Sequence, residues 1–248
     1  MDLQAIIFDI NGTLIDIETD EGRDDIYRAL ARFLSFQGIE IAWRELRDLY
    51  FQAIRRQLER SSEAHPDADV PTAWAEIIEC KSSARTRQLP SEKLRQVPLF
   101  LAEMQRALSH IRLRLFPQVR PILEALRARY RLAIVSDHQV AYGLPELNAV
   151  GLADYFDPIV ISSEHGFRKP DPRLFHCALE GVGAAAREAV YVGNDLHCDV
   201  EGAHRAGMKC VLFSSGSLKH HPYSTPADYV IHQFGQLPEA IRYIETRF

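Results

Sequence analysis

Apolar residues occur along the chain in short runs, and outside one long segment these runs alternate with stretches of helical periodicity. The runs lie at 3–8, 132–135, 158–161, 189–192 and 210–213, with a further short one at 228–231. Runs of this length predict strands that are buried on both faces. Apolar residues at helical spacing occupy 117–130, 144–150, 172–180 and 199–206. The alternation predicts an α/β fold with a Rossmann-like core, in which helices cover both faces of a parallel sheet.

The segment 17–112 has a different pattern and shows almost no strand-like alternation. Helical spacing predicts four helices in it, at 24–34, at 43–58, from Pro71 onward and at 90–108. The polar, proline-containing stretch 61–69 predicts a loop between two of these helices. We therefore predict a core formed by 1–16 and 113–248 with a helical domain inserted at 17–112. The connections between them are expected near 16–19 and 110–116.

The charge and hydrophobic content of the chain indicate which kinds of substrate and partner to expect. The chain has 248 residues, of which 46% are hydrophobic, and a net charge of -5. That charge offers no basic surface for nucleic acid, so we expect a small-molecule substrate. No apolar stretch reaches the length of a membrane span, and the amino-terminal run does not resemble a secretory signal. We therefore expect no membrane association, a cytoplasmic location, and a monomer or homodimer.

Cysteine and histidine spacing does not indicate a metal centre of the zinc type. The four cysteines are far apart in the sequence, and we interpret them as reduced thiols. His220 and His221 form a pair, but no cysteine or acidic residue lies near them, and we predict a loop there. In the inserted segment, Arg55, Arg56, Arg85 and Arg87 are candidate anion contacts, although charged helical faces are usually solvated.

The first apolar run ends on a carboxylate. Asp9 follows it directly, and ligands of open α/β sheets bind at the carboxyl ends of the strands. The period of a strand turns Asp9 and Asn11 to the same side, and Gly12 lets the backbone turn sharply before Thr13. These residues predict a pocket that contains a reactive carboxylate.

Three later segments carry polar residues that could meet Asp9. Ser136 ends the apolar run at 132–135 and is followed by Asp137 and His138. Lys169 lies just before Pro170 and the helical stretch that begins at 172. The run at 189–192 leads into a polar loop with three oxygen-bearing side chains, which are those of Asn194, Asp195 and Asp199.

In the order and context of these four motifs, the whole chain resembles the haloacid dehalogenase superfamily of phosphohydrolases. The resemblance implies that Asp9 is the nucleophile and that an α-helical cap is inserted after the first motif. It also implies that Ser136 bonds a phosphoryl oxygen and that Lys169 neutralises charge on Asp9 and the transferring group. Gly12, Thr13, Asp137 and His138 are expected at the substrate. Mg²⁺ is the implied cofactor, and its candidate ligands are Asp9, Asn11, Asn194, Asp195 and Asp199.

Two positions depart from the phosphatase pattern. The residue two after the nucleophile is usually an aspartate that acts as general acid and base, and here it is Asn11. An amide cannot exchange that proton, and a positioned acid-base group is typically worth ~10²–10⁴-fold in rate. The second departure is Asn194, which stands where the acidic loop normally carries its first aspartate. Which of Asn194, Asp195 and Asp199 binds the metal is left open by the sequence.

Three functions remain open on this basis. The first is a Mg²⁺-dependent phosphatase of a small phosphorylated metabolite that forms a phosphoaspartate and is weakened or specialised by Asn11. The second is a 2-haloacid dehalogenase, which uses the same aspartate against carbon. Such enzymes usually carry an aromatic residue at position 11 and an asparagine at position 137, which this chain lacks. The third is a non-catalytic protein that binds phosphate or regulates.

Overall fold

The strand Ala5–Phe8 lies at the centre of the fold because all four of its side chains are apolar and none is exposed. The structure is a computed structural model that describes residues 3–84, 86–88, 90–215 and 226–246. Arg85, His220 and His221 lie outside these residues, so the predictions made for them stay predictions.

Eight strands are found in the described part of the chain. They are β1 (Ala5–Phe8), β2 (Ile15–Thr19), β3 (His110–Leu115), β4 (Arg131–Ser136), β5 (Ile159–Ile161), β6 (Ala189–Gly193), β7 (Lys209–Phe213) and β8 (Tyr229–Ile231). Six of them form one parallel sheet in the order β5-β4-β1-β6-β7-β8. The chain first extends the sheet on one side of β1 and then on the other. The carboxyl end of β1 is therefore a topological switch point, which is where such sheets bind ligands.

Ten α-helices lie in the described residues. They are α1 (Asp24–Phe36), α2 (Trp43–Arg60), α3 (Val70–Lys81), α4 (Ser91–Ser109), α5 (Val119–Arg127), α6 (Val140–Ala149), α7 (Ser162–His165), α8 (Pro172–Val182), α9 (Gly202–Arg205) and α10 (Leu237–Glu245). The predicted Rossmann-like α/β fold with a helical insertion is confirmed, and α1 to α4 form the insertion. Within the described residues, no helix is both long enough and apolar enough to cross a bilayer.

The two connections to the insertion pair with each other. The strands β2 and β3 form a two-stranded antiparallel sheet in which Ile15 lies opposite Leu115. Asp16 forms ion pairs with Arg112 (2.9 Å) and Arg114 (3.0 Å) across this ribbon. The sequence predicted only connecting segments here. Because the ribbon spans both predicted boundaries, the division at residues 16 and 113 stays a prediction.

Three apolar cores follow from this arrangement. Alternation along β1 sends Ile6 and Phe8 into one layer, with α5 and α10, and Ile7 into the other layer, with α8. The insertion has its own core, in which Trp74 is fully buried. The sheet is therefore covered on both faces, and only its edges and strand ends are open to polar chemistry.

Candidate active site

Asp9 occupies the switch point because it is the first residue beyond β1. Its N–H donates to the carbonyl of Val192 on the neighbouring strand at 2.9 Å, which extends the ladder by one residue. Its side chain is buried, with 5% of the residue exposed. The carboxylate therefore lies at a fixed place between the ends of β4 and β6.

Three of the predicted partners hold the Asp9 carboxylate. Oδ1 accepts from the Ser136 hydroxyl at 3.0 Å and from Lys169 Nζ at 2.9 Å. Oδ2 accepts from the Thr13 hydroxyl at 3.3 Å. Each donor comes from a different segment, so the sheet and the loop before α8 assemble a site that no local stretch contains. The predicted grouping of Asp9, Thr13, Ser136 and Lys169 is present in the structure.

Lys169 is buried between two carboxylates. Its Nζ also donates to Asp199 Oδ1 at 2.6 Å and to the Tyr191 hydroxyl at 3.1 Å. Burial alone would lower the pKa of Lys169, but the charges of Asp199 and Asp9 outweigh it and raise that pKa well above its ordinary value. Lys169 is therefore a fixed positive charge beside Asp9. Sequence reasoning missed Tyr191, because it lies within the apolar run of β6. Only its hydroxyl group takes part in the site.

Asp137 and His138 follow Ser136 but have different surroundings. Asp137 Oδ1 accepts the Lys169 N–H at 2.8 Å. Burial raises the pKa of Asp137 to about 6, and the nearby Lys169 charge offsets only part of this rise. His138 is buried and both of its ring nitrogens are engaged, Nε2 with Glu146 at 2.8 Å and Nδ1 as acceptor of the Gln139 N–H at 3.0 Å. Both ring nitrogens of His138 are thus occupied by partners within the protein.

The turn after Asp9 is built for close approach. Gly12 has φ +81°, and a Cβ at this position would lie 2.4 Å from the Asn194 amide nitrogen. Only glycine combines this conformation with that space. The side-chain oxygen Oδ1 of Asn11 is buried and has no hydrogen-bond partner among the described residues. The turn therefore contains a buried, unused acceptor two residues after the nucleophile.

Asn194 faces Asp9 with one end of its carboxamide. The inward atom lies 3.3 Å from Asp9 Oδ2 and 3.1 Å from the Asn11 carbonyl oxygen. Both neighbours only accept hydrogen bonds, so an inward Nδ2 donates to them. With Oδ1 inward, three oxygens converge, and such a set of hard ligands fits Mg²⁺ with a single carboxylate among them. Rotation of one amide thus decides between a closed hydrogen-bond group and a cation site.

The other predicted metal ligands have structural partners. Asp195 accepts the N–H groups of His197 (2.8 Å) and Cys198 (2.7 Å) and so caps the π-helical segment Leu196–Glu201. Asp199 Oδ2 accepts the N–H groups of Asn194 (2.8 Å) and Asp195 (2.9 Å). Asp199 therefore shapes the loop while its other oxygen binds Lys169. The structure brings Asp9, Asn11 and Asn194 together and leaves the Asp195 carboxylate outside that group.

A polar cavity of about 200 Å³ opens beside this group, between core and insertion. Its lining consists of Asn11, Asp67, Arg106, Asp137, His138, Gln139, Tyr142 and Arg168. Arg106 comes from α4, and sequence reasoning missed it. Arg55, Arg56 and Arg87, which the sequence suggested, are not among the residues that line this cavity.

The loop at 61–69 forms one wall of the cavity. The Asp67 N–H donates to the Gly166 carbonyl at 3.0 Å, and the Arg168 N–H donates to the His65 carbonyl at 2.8 Å. Gln139 donates to the Ala68 carbonyl at 2.7 Å and so ties the same loop to the segment after Ser136. The inserted segment therefore contacts the core segments that precede Lys169 and follow Ser136.

Comparison with known proteins agrees with this geometry. The family model for haloacid dehalogenase-like hydrolases matches residues 3–207. A phosphoserine phosphatase of Thermus thermophilus is 37% identical over 118 residues, which are 45% of this chain and 45% of that protein. An N-acylneuraminate-9-phosphatase of Mus musculus is 26% identical over 252 residues, which cover 99% of this chain and 96% of that protein.

Among solved structures, a 2-haloacid dehalogenase from Pseudomonas syringae has the same fold, with a TM-score of 0.69 at 24% identity over 97% of this chain and 99% of that one. The first curated relatives share only about half of their length with the chain, whereas the family model covers most of it. The chain belongs to the haloacid dehalogenase-like hydrolases.

Proposed function

We propose that the chain is a phosphatase that hydrolyses a small phosphate monoester through a phosphoaspartate on Asp9. The observation that carries the proposal is the buried Asp9 carboxylate, which Lys169 and Ser136 hold, while the nearby residues Asn11 and Asp137 line a polar cavity. A carboxylate fixed by such donors is a suitable nucleophile for the formation of a phosphoaspartate. The relatives named above as phosphatases support this chemistry.

In this mechanism the residues around Asp9 act by position and charge. Lys169 offsets negative charge on the nucleophile and on the phosphoryl group as the two approach. Ser136 and Thr13 hold the Asp9 carboxylate by donating to its oxygens. During transfer Ser136 would donate to an oxygen of the phosphoryl group, and such preorganised donors are a large part of catalysis. Asp199 keeps Lys169 in place and so acts as a positioning residue.

The group formed by Asp9 Oδ2, the Asn11 carbonyl and Asn194 Oδ1 would hold Mg²⁺. When bound there, the ion supplies positive charge that reduces repulsion between the carboxylate and the phosphate. The donor set contains one carboxylate, and Mg²⁺ sites of this kind are commonly completed by substrate phosphate.

The cavity limits the size of the substrate. Its volume of about 200 Å³ is below the ~300–1,000 Å³ typical of pockets for drug-sized ligands. The lining is polar and carries two cationic side chains, Arg106 and Arg168, together with the carboxylates of Asp67 and Asp137. We therefore propose a small phosphorylated metabolite that binds between core and insertion.

A direct assay tests the proposal. Phosphate release from an aryl phosphate and from a panel of small phosphorylated acids and sugars is measured with and without Mg²⁺. We expect phosphate release that depends on the enzyme and is strengthened by Mg²⁺. Tight phosphate binding without any turnover would instead indicate the non-catalytic alternative.

One observation favours a second function. An inward Asn194 Nδ2 closes the cation position with an amide, and 2-haloacid dehalogenase chemistry needs no metal. Chloride release from 2-chloropropionate distinguishes this function from the first. Chloride release that is unaffected by a chelator, with no phosphate release from any ester, would replace the phosphatase proposal.

A further inference from the structure

The proposed phosphatase reaction needs a group that transfers a proton, and Asn11 cannot do so. We therefore consider the residues that line the cavity. Four of the lining residues could in principle transfer one, and these are Asp67, Asp137, His138 and Tyr142. Their hydrogen bonds and environments separate them.

Three of the four groups are committed or unsuited. Asp67 accepts from the Ser162 hydroxyl at 2.6 Å through Oδ2 and from the Ala68 N–H at 2.9 Å through Oδ1. The ring of His138 is held at both nitrogens, as described above. Burial raises the pKa of Tyr142 beyond the range of an acid that works near neutral pH.

Asp137 is the remaining group, and its geometry leaves one oxygen free. Oδ1 accepts the Lys169 N–H at 2.8 Å, while Oδ2 has no hydrogen-bond partner in the described part of the chain. The residue before it, Ser136, and the residue that anchors it, Lys169, both bond directly to Asp9 Oδ1. The free oxygen therefore belongs to a carboxylate that is fixed to the same frame as the nucleophile and lines the same cavity as Asn11.

We propose that Asp137 is the general acid and base of this enzyme, in the role that Asn11 cannot fill. The assignment rests on the proposed phosphatase function. The proton-transfer group would then lie in the segment after β4, and not in the segment after β1 where phosphatases of this family usually carry it.

The proton and bond changes balance over two steps. In the first, an Asp9 oxygen bonds to phosphorus, the bond from phosphorus to the leaving oxygen breaks, and that oxygen takes the proton of the Asp137 carboxyl group. In the second, the Asp137 carboxylate takes a proton from water as the water oxygen bonds to phosphorus. The bond from phosphorus to Asp9 then breaks, which releases phosphate and restores both side chains.

The surroundings of Asp137 suit both steps. Burial raises its pKa to about 6, Lys169 opposes this rise, and Asp9 and Asp199 add to it. A group with a pKa near the working pH exists in both protonation states, as general acid-base catalysis requires. The other charged or titratable side chains that line the cavity are Asp67, Arg106, His138, Tyr142 and Arg168.

The test compares Asp137→Asn with the wild type by rapid quench on an aryl and an alkyl phosphate across pH 5 to 8. The amide can still accept the Lys169 N–H, so the change removes the proton-transfer group with little change in shape. For Asp137→Asn on the aryl ester, we expect a burst of one equivalent of the phenol and an accumulated phosphoenzyme. Steady-state turnover should be lowered by ~10²-fold or more. On the alkyl ester, which needs a protonated leaving group, we also expect the burst itself to slow.

The pH profile gives a second readout. With the aryl ester, hydrolysis of the phosphoenzyme limits turnover and needs the Asp137 carboxylate, so wild-type kcat should fall as the pH drops through about 6. This limb should be absent in Asp137→Asn. Asp154→Asn is the matched control. This exposed aspartate lies before β5, at the amino ends of the strands, whereas Asp137 lies at the carboxyl ends.

The double variant Asn11→Asp with Asp137→Asn keeps the test decisive. It places a carboxylate at position 11, so we expect recovery of turnover and loss of the accumulated phosphoenzyme, and recovery also shows that the chain folds with an amide at position 137. Failure of this rescue, or an active wild type whose kcat and pH profile are unchanged by Asp137→Asn, would overturn the assignment alone. A wild type that releases no phosphate and forms no phosphoenzyme would overturn the phosphatase function and the assignment with it.

Discussion

Two buried charge clusters lie close together in this protein, and they differ in how completely their hydrogen bonds are used. The nucleophile cluster consists of Asp9, Lys169, Asp199 and Tyr191, at the carboxyl ends of the sheet strands. The hinge cluster consists of Arg106, His110, His138 and Glu146, between the inserted helix α4 and the core helix α6. Both are largely shielded from water.

The hinge cluster is closed. Glu146 accepts from Arg106 Nε at 2.5 Å and interacts with the Nε2 atoms of His138 (2.8 Å) and His110 (2.9 Å). Arg106 also binds Glu21 at 2.9 Å, so the cluster joins the insertion to the core through charges that compensate one another. Such a network holds a geometry, and removal of one member leaves buried charges without a partner.

The members of the nucleophile cluster bond to one another, but two polar atoms on neighbouring residues have no partner. Asn11 Oδ1 and Asp137 Oδ2 have no hydrogen-bond partner among the described residues, and both residues line the cavity. Buried polar groups usually have partners, so the unused Asn11 Oδ1, two residues after the nucleophile, indicates an atom that a ligand completes. The comparison predicts that changes in the first cluster affect chemistry and that changes in the second affect stability.

The largest expected effect follows from Asp9→Asn. The substitution is nearly isosteric and the amide cannot form the phosphoaspartate, so we expect phosphate release to fall by about 10⁴-fold or more. Unfolding in urea should show that the variant retains a stable fold. Undiminished turnover by a folded Asp9→Asn protein would contradict the assignment of Asp9 as nucleophile.

The hinge cluster should show the reverse behaviour with Glu146→Gln. The neutral amide leaves Arg106 without its buried counter-charge, and loss of one partner of a buried ion pair typically costs about 3–5 kcal/mol in the free energy of unfolding. The measurement is urea unfolding at pH 7. The matched control is Glu92→Gln, which breaks an exposed pair with Arg95 and should cost less than about 1 kcal/mol. Equal losses in the two variants would remove the distinction between the clusters.

Acid should weaken the hinge cluster in a defined pH range. Burial raises the pKa of Glu146, but hydrogen bonds from His138 and Arg106 outweigh it and lower the pKa from 4.5 to about 2. A carboxyl whose pKa is lower in the folded state stabilises the protein above its unfolded pKa. That stabilisation, about 3 kcal/mol, is lost as the pH falls from 4.5 toward 2.

The stability difference between the wild type and Glu146→Gln therefore tests this titration, because other carboxyl groups titrate equally in both proteins. We expect the difference to be constant above pH 5 and to shrink as the pH is lowered toward 3. A difference that does not change over this range would show that Glu146 is not held as a buried carboxylate.

The sequence predicted the sheet better than the connections. Buried strands carry continuous apolar runs, so the predicted strand at 132–135 closely matches β4 at Arg131–Ser136. The ribbon of β2 and β3 was missed because its two strands are far apart in the sequence and both have mixed polarity. Helix α6 begins at Val140, earlier than the predicted 144, since the segment after Ser136 is ordered by the contacts of Gln139 with the loop at 61–69.

In the candidate site, too, one part could be predicted from the sequence and another could not. The order of the motifs predicted that Asp9, Ser136 and Lys169 would meet, because parallel strands bring their carboxyl ends to one edge. The sequence could not predict how side chains orient within that edge. The fixed ring of His138 depends on Glu146, and the outward carboxylate of Asp195 depends on the N–H groups of the next turn. These orientations are set by tertiary contacts that a residue pattern does not contain.

The smallest predicted effect concerns the cation position and uses Asn194→Asp. An aspartate there cannot donate toward Asp9 and the Asn11 carbonyl, and it adds a second carboxylate to the oxygen set. We expect Mg²⁺ or Mn²⁺ affinity to rise by about tenfold, equivalent to about 1.4 kcal/mol, in a calorimetric titration without substrate. The metal-free variant should also be less stable than the wild type, because two carboxylates then face each other.

Asp195→Asn supplies the contrast for this last measurement. Its carboxylate caps the segment Leu196–Glu201, so this change should leave the metal affinity nearly unaltered and lower stability slightly. If Asp195→Asn weakens binding and Asn194→Asp leaves it unchanged, the cation is held by Asp195 and the inward amide of Asn194 belongs to the hydrogen-bond network alone. That outcome would weaken the distinction between the two clusters, because the Asp9 side of the site would then be closed as well.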